Sequence, residues 1–314
     1  MGQQTSMGTI IARRLLWLPV LLILISLTVF LFGTYGPGDP VLVRLGNKAN
    51  PEAVARLREE MGLNLPLHEQ YLRYLGNVLQ GDFGESYKYQ GVAVTDLIAP
   101  RLWVSFQLGL AATIIVFAVG IPLGVIAAAL QGRVWDRVIV SLALIPESIP
   151  VFVLIPVLYF IFVRQLKWFP ASGWDGLFSP SAVLPLIVLS IGGIASVLRQ
   201  VRTNTLEVLH NDFVRTARAK GLPRQTVLFR HVLRNSLLPT WTLVGFVIAS
   251  LPAGSIIVEG LMGIPGIGGL AWSAIFQRDY PVIMAITLLG ATLYVLGNLI
   301  VDIGYPLVDP RIRY

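Results

Sequence analysis

Apolar residues in this chain do not form the stripe of a soluble amphipathic helix or the alternation of a half-buried strand. They gather into runs of about 20, the length at which an α-helix crosses the ~30 Å hydrocarbon core of a bilayer. The runs predict spans at Leu15–Phe32, Leu102–Leu130, Val138–Val163, Ala182–Leu198, Leu237–Val258 and Val282–Ile303. Six spans put both termini on one side. Arg13 and Arg14 precede the first run as they would in a signal peptide, but no small-residue cleavage site follows cleanly, so a retained anchor is expected. Pro122, Pro146, Pro150, Pro156, Pro185 and Pro252 fall inside the runs. In lipid the carbonyls they free need partners, which predicts bent helices packed in a bundle. Such bends suit a translocation path and occur in inert bundles too.

The polar stretch 34–101 is expected to be structured rather than a linker. Asn50, Pro51 and Glu52 supply an N-cap, a proline at the first helical position and a first-turn acid, and Gly62 supplies a C-cap. A second helix is predicted from Pro66 to about Gln80, with Tyr71, Leu72, Leu75, Val78 and Leu79 on one face. That face suits the membrane surface or a neighbouring helix, and docking of an external protein is the alternative.

Composition agrees with a membrane protein: 55% of the 314 residues are hydrophobic, 13% are charged and the mean hydropathy is +0.71. A soluble domain carries roughly 25% charged residues. The net charge of +7 sits at the ends of the apolar runs rather than in a nucleic-acid-reading module. Arg13 and Arg14, Arg133 and Arg137, eight Lys and Arg from Arg199 to Arg234, and Arg311 and Arg313 mark one side as cytoplasmic. Arg164, Lys167, Arg278 and the mixed-sign stretch 34–101 fall on the other side. There is no cysteine, which removes disulfide and thiolate chemistry.

Candidate chemistry is sparse. The chain has no GxxxxGK[ST] phosphate loop and no GxSxG elbow, and His68, His210 and His231 do not recur at metal-ligand spacing. No catalytic residue and no metal site is therefore expected, and ATP hydrolysis would have to come from another chain. Glu147, with Ser148 beside it, lies between Pro146 and Pro150 in the third run, and Asp302 lies near the inner end of the last. An ionisable group at depth faces a cavity or the bundle interior. Glu147 and Ser148 are thus candidate path residues, although pairing of Glu147 with a nearby arginine or hydration near an interface explains the acid equally. Glu259, at the outer end of the fifth run, is a further candidate and has the stronger interfacial reading.

The basic insert 199–236 carries the most specific pattern. Asn211 and Asp212 can cap a short helix through Lys220, Gly221 can close it, and Pro223 can open a second helix that leads into a span. Phe213 and Ala217 lie four apart, and Arg215 and Arg218 three apart, so an apolar contact and a basic edge can be offered together. The competing explanation is a positive loop lying against anionic lipid.

The order of residues resembles a known family. RTARAKG, Arg215 to Gly221, followed by HVLRNSLLP, His231 to Pro239, is similar to the coupling segment of ATP-binding-cassette importer permeases of the oligopeptide, dipeptide and nickel family. The wider importer motif has Glu-Ala-Ala, a Gly after three residues and a Pro thirteen further on. Here Arg215, Thr216 and Ala217 hold the triplet, Gly221 matches, and Pro239 lies 18 residues beyond it, as in the peptide and nickel branch. Gly38-Asp39-Pro40, LNLPLHEQYLRYLGNVLQGDFGES (Leu63 to Ser86), VEGLMGIPGIGGL (Val258 to Leu270) and VDIGYPLVDPRIRY (Val301 to Tyr314) extend the resemblance over nearly the whole chain.

The resemblance implies an all-α integral membrane fold of the type I ABC importer permease kind: six transmembrane helices with a long extracytoplasmic segment after the first. Residues 1–33 would be the N-terminal tail and first helix, 34–101 the extracytoplasmic segment, and 102–314 a five-helix core with the coupling loop 199–236. It implies a multi-pass subunit of a bacterial or archaeal cytoplasmic membrane, with both termini cytoplasmic, moving peptides or related solutes by alternating access. Its partners would be a non-identical permease, two cytoplasmic ATPases that bind the ATP and Mg, and an extracytoplasmic solute-binding protein. Asp212, Arg215, Thr216, Ala217, Arg218, Lys220, Gly221 and Leu222 would couple it to the ATPases. The weighed alternatives are a secondary transporter, which would need buried proton or sodium ligands, and a non-transporting scaffold.

Overall fold

The computed structural model describes residues 7–36, 39–46, 50–237, 239 and 254–308, with the side chains of 7–15, 224 and 300–308 excepted. Among the described residues regular structure is helical, apart from one isolated antiparallel bridge between Glu85 and Ala93. In order the helices are α1 (Met7–Tyr35), α2 (Pro40–Leu45), α3 (Pro51–Glu60), α4 (Leu67–Leu79), α5 (Val94–Ala129) and α6 (Val134–Glu147). Then follow α7 (Val151–Leu158, continuing as a π-helix over Tyr159–Gln165), α8 (Pro180–Leu209) and α9 (Asp212–Ala219). The next, α10, is α-helical at Arg224–Thr226 and Arg234–Ser236 and π-helical over Val227–Leu233 between them. Last come α11 (Ile256–Met262), α12 (Ile267–Gln277) and α13 (Tyr280–Val308).

Contacts divide the described residues into two units, one drawn from the ranges 1–105, 252–260 and 264–296, the other from 106–251, 261–263 and 297–314. In the first unit, caps written in the sequence set the helices of the polar stretch. Asp39 accepts the Val41 N–H at 2.9 Å and Asn50 the Ala53 N–H at 2.7 Å, each immediately before a proline that opens a helix. Gly62, at φ +68°, closes α3 in the left-handed conformation, with Leu63 N–H on the Arg58 carbonyl at 3.0 Å. The predicted face of α4 meets a neighbour only in part. Tyr71 reaches the Ser26 hydroxyl of α1 at 2.9 Å, and the rings of Tyr71 and Tyr74 lie 5.5 and 5.6 Å from that of Phe30, whereas Leu72 and Leu79 stay exposed. The core of this unit joins Val94 and Ile98 of α5 to Ile267, Leu270 and Ala274 of α12 and Val282 and Ala285 of α13.

In the second unit α5 and α8 approach closely. A Cβ placed on Gly120 would stand 2.9 Å from the Val197 side chain, one on Gly124 2.8 Å from the Leu198 carbonyl, and one on Gly193 2.5 Å from Val116. Small residues at such spacing let backbones pack without a hydrophobic drive between spans. Gly124 and Gly193 therefore serve packing. Gly124→Leu is expected to lower the detergent-solubilised protein's Tm by several degrees, while Gly192→Ala, with open space around it, leaves Tm unchanged. Differential scanning fluorimetry checks both.

Four described helices are long and apolar enough to cross a membrane, or up to six if two sharply bent pairs each count as one span. The predicted third span is one such pair: α6 stops at Glu147 and α7 restarts at Val151 after a 97° bend. Pro150 explains the break, since a continued helix would set its ring against the Pro146 carbonyl and leave that acceptor without an N–H. The second pair, α11 and α12, bends by 82° in a region read from sequence only as a signature. Most of the fifth predicted span, Leu237–Val258, lies outside the described residues, as does the side chain of Asp302. The helices run past their predicted bounds; α5 begins at Val94 and α8 runs on to Leu209. Hydropathy sees only the lipid-depth part of a helix, whereas Val201, Asn204 and Thr205 of the polar extension of α8 are buried by packing.

Candidate functional site

The short helix α9 is closed at its C-terminal end and sided, one face buried and the other exposed. Asn211 stands at its N-cap with an extended backbone, φ −71° and ψ 148°, but its side chain makes no capping bond, which corrects the expected Asn211 cap. The Asn211 carbonyl instead receives the Val214 and Arg215 N–H groups at 3.0 and 3.3 Å. At the other end Gly221 N–H bonds the Arg218 carbonyl at 2.9 Å and Leu222 N–H the Ala217 carbonyl at 3.4 Å, with Gly221 at φ +74°. That is a left-handed C-cap, the conformation glycine adopts without a Cβ penalty. Thr216 returns its hydroxyl to the Asp212 carbonyl at 3.0 Å.

Two faces follow. Val214 and Ala217 are buried with Val227 and Val232 of α10, and Val208, Leu209 and Leu228 pack beside them. This corrects the expected pairing of Phe213 with Ala217 on an offered face: Ala217 turns inward and Val214 is its partner. Asp212, Phe213, Arg215, Thr216, Arg218, Lys220 and Leu222 are exposed. Arg215 and Asp212 stand 3.7 Å apart with 79% and 98% of their side chains open, a pair too exposed to order the helix. Beside α9 lies a cavity of about 650 Å³ lined by Arg133, His210, Arg218, Leu222, Val227 and Leu228 among others. Among the described lining residues three side chains are basic and none is acidic. His210 donates from Nδ1 to the Leu206 carbonyl at 2.7 Å.

Beyond α9, α10 is itself tied to α8. Asn204 of α8, itself buried, donates to the Ser236 carbonyl at 3.2 Å, so the far end of α10 is bonded to a spanning helix. Farther along, α6 and α8 share two acid–arginine pairs, Asp136 with Arg202 and Glu147 with Arg199. The first was not singled out from sequence; its only signal was an acid amid Arg133 and Arg137. Ser148, next to Glu147, is exposed and turns its hydroxyl to the Leu144 carbonyl at 2.9 Å.

Glu259 departs from expectation. It is 1% exposed, and its carboxylate accepts the Ser105 hydroxyl and the N–H groups of Ser255, Gly268 and Gly269 at 2.8–3.2 Å. The interfacial reading is thereby corrected: the acid is consumed as a cap on α12. Asp279, also unremarked in sequence, forms a comparable knot. It bonds the Ser86 hydroxyl and accepts the Tyr87 N–H at 3.0 Å, holding the Phe83–Val92 loop. Burial there pushes the Tyr87 phenol up to about 12, with Arg44 pulling it down and Asp279 adding to the rise. Tyr87 is accordingly neutral at physiological pH. Among the described residues no three His, Asp or Glu side chains gather as a metal site requires.

Long apolar helices, two of them sharply bent pairs, with a short exposed helix between them in the chain, define a multi-pass membrane component. Comparison with known proteins gives this class its family. The description "binding-protein-dependent transport system inner membrane component" matches residues 120–314, and its N-terminal counterpart matches residues 7–116. The chain is 40% identical over 306 residues to the oligopeptide transport system permease protein OppB of Salmonella typhimurium, and 39% over 305 to that of Haemophilus influenzae. It is 41% identical over 313 residues to the oligopeptide transport system permease protein AppB of Bacillus subtilis. Each comparison covers 97% of this chain and 99% of the relative. The chain belongs to the binding-protein-dependent transport inner membrane family, the multi-pass permease subunits of ABC transporters.

Proposed function

We propose that this chain is the transmembrane permease of an ATP-driven peptide importer. Near-full-length similarity to oligopeptide permeases on two family segments is the observation that carries this reading. In it α9 lies on the cytoplasmic side, 34–101 on the opposite side, and both termini in the cytoplasm. A non-identical permease completes the path, a solute-binding protein delivers cargo, and two ATPases supply ATP hydrolysis with Mg.

The geometry of α9 suits coupling. Asp212, Arg215, Thr216, Arg218, Lys220 and Leu222 form the face an ATPase grips, and the basic cavity beside them favours an acidic partner surface. Ala217 and Gly221 position that face by fixing α9 on α10 and closing its end. Closure of the ATPase dimer would move α9 as a body, and α10 and α8 would pass the movement to the spans, shifting the balance between inward-open and outward-open states. Glu147 and Ser148 are retained as path residues, whereas the Glu259 carboxylate is committed to its cap.

The test is peptide-stimulated ATPase activity of the assembled importer in liposomes, with a panel of di- to pentapeptides. At least severalfold stimulation by one class is expected. Uptake that persists without the ATPases and collapses with the proton gradient would overturn the reading in favour of a secondary transporter.

A further inference from the structure

The two acid–arginine pairs between α6 and α8 differ in how fully they are used. Asp136 is 3% exposed; its carboxylate receives Nε and Nη2 of Arg202 at 2.8 Å each and the Gly132 N–H at 3.1 Å. Buried and bonded on both oxygens, it holds the helices together. Glu147 meets Nη1 and Nη2 of Arg199 at 2.5 and 2.9 Å, but 27% of the Glu147 side chain and 46% of the Arg199 side chain remain open.

Arg199 directly follows the predicted fourth span, Ala182–Leu198, and an open ion pair there faces water or protein rather than hydrocarbon, where a charge is strongly disfavoured. The backbone gives a second, independent indication. Helix α6 ends at Glu147 and the chain is non-helical at Pro150, and irregular backbone in a membrane is tolerated where it is covered by protein or lines a watery cavity. A third lies alongside: an apolar cavity of about 260 Å³, lined by Leu123, Leu142, Ala143, Pro146, Ile191 and Ile194. Pro146 adjoins Glu147 in the chain, and Ile194 precedes Arg199 by little more than one turn of α8. An anion, a cation and an apolar hollow thus sit together at a helix break.

We propose that Glu147, Arg199 and this cavity form a cargo contact for zwitterionic peptides: Glu147 takes the α-ammonium end, Arg199 the α-carboxylate end, and the cavity an apolar side chain. The proposal rests on the peptide-importer reading and adds to it a place on the permease where cargo chemistry is read. Its physical basis is exchange. When the path is empty, the two side chains neutralise each other. When a peptide passes, its ammonium replaces Arg199 at Glu147, or its carboxylate replaces Glu147 at Arg199, and one ion pair gives way to another. A lone acid would retain basic cargo and repel the acidic end, whereas a self-paired site treats both ends alike. Because open ion pairs bind weakly, the contact guides a peptide without trapping it.

The test uses the complete importer in liposomes, with both permeases, both ATPases and the solute-binding protein. Uptake of Ala-Leu-Ala is compared with that of its N-acetylated and C-amidated forms, at concentrations where the binding protein is loaded with each. Ratios are referred to those of the wild type, so the binding protein's own preference cancels. Glu147→Gln is expected to lower the ratio of free to N-acetylated peptide about fivefold and leave the ratio of free to C-amidated peptide unchanged; Arg199→Gln is expected to do the reverse. If either single variant does not assemble, the neutral pair Glu147→Gln with Arg199→Gln, which leaves no charge unpartnered, carries the test and is expected to lower both ratios. Equal loss for all three probes, or ratios within twofold of wild type, would assign the pair a purely structural role and overturn the proposal while the importer reading stands. A wild-type complex that imports none of the three peptides yet responds to another solute would overturn the importer reading itself, and the proposal with it.

Discussion

Glu259→Ala is expected to leave little folded permease. Helix α12 begins after Gly266, a residue with no side chain to cap it, so its first N–H groups depend on other elements. Ser105 of α5 accepts the Ile267 N–H at 2.8 Å, and Glu259 accepts those of Gly268 and Gly269 at 2.8 and 3.2 Å. The same carboxylate takes the Ser105 hydroxyl at 2.9 Å and the Ser255 N–H at 3.0 Å, tying three segments of the first unit together. Its charge also opposes the positive end of the α12 dipole. Alanine would strand four donors in a site that is almost closed to solvent, each at roughly 1–3 kcal/mol. Even with water entering, about 4 kcal/mol or more would be lost from a fold whose total is typically about 5–15 kcal/mol. The expected result is severely reduced accumulation in the membrane and a strongly lowered Tm in detergent. Glu259→Gln, which keeps one acceptor, should fall between. A wild-type Tm for the alanine variant would show that the cap carries no weight.

How visible this was beforehand depended on whether a residue's task was local. The caps at Asn50, Gly62 and Gly221 were legible, because each is set by a few neighbours in sequence and by backbone sterics. The in-span prolines predicted bends in general without marking Pro150 as the place of a break. The ends of α5 and α8 were not legible, because packing and not lipid burial holds their polar turns. Glu259 and Asp279 were misread or passed over for a different reason: part of each acid's bonding comes from far away in the chain, from Ser105 in addition to the nearby Ser255, Gly268 and Gly269 for one, and from Ser86 and Tyr87 for the other. Nothing in the local composition around a buried acid distinguishes it from an interfacial one. For Ala217 the sequence placed the residue on the correct helix but on the wrong side of it. Helical spacing allows Ala217 to group with Phe213 or with Val214, and only α10 decides between them.

That inward position makes the coupling helix testable by two substitutions that act differently. Gly221→Pro would fix φ near −65° where the chain needs +74°, and would delete the N–H that reaches the Arg218 carbonyl. The end of α9 would then open and its exposed face would lose a defined direction. Ala217→Phe leaves the cap intact but forces a large ring among Val214, Val227 and Val232, at a strain of about 1–3 kcal/mol. Relief requires α9 to tip away from α10, which breaks the route to α8 through Ser236 and Asn204. Both variants should insert and assemble, since Ala217 and Gly221 lie outside the spanning helices themselves. Both are expected to keep basal ATPase activity in the reconstituted importer, to lose its stimulation by peptide, and to lower uptake at least tenfold. Gly221→Ala calibrates the effect: no atom lies within 4 Å of the added Cβ, so only the left-handed backbone penalty of about 1 kcal/mol applies, and uptake should drop no more than about fivefold. Wild-type coupling in Gly221→Pro and Ala217→Phe together would mean that movement enters this permease elsewhere, because both ways of loosening α9 from α10 would have left transport intact.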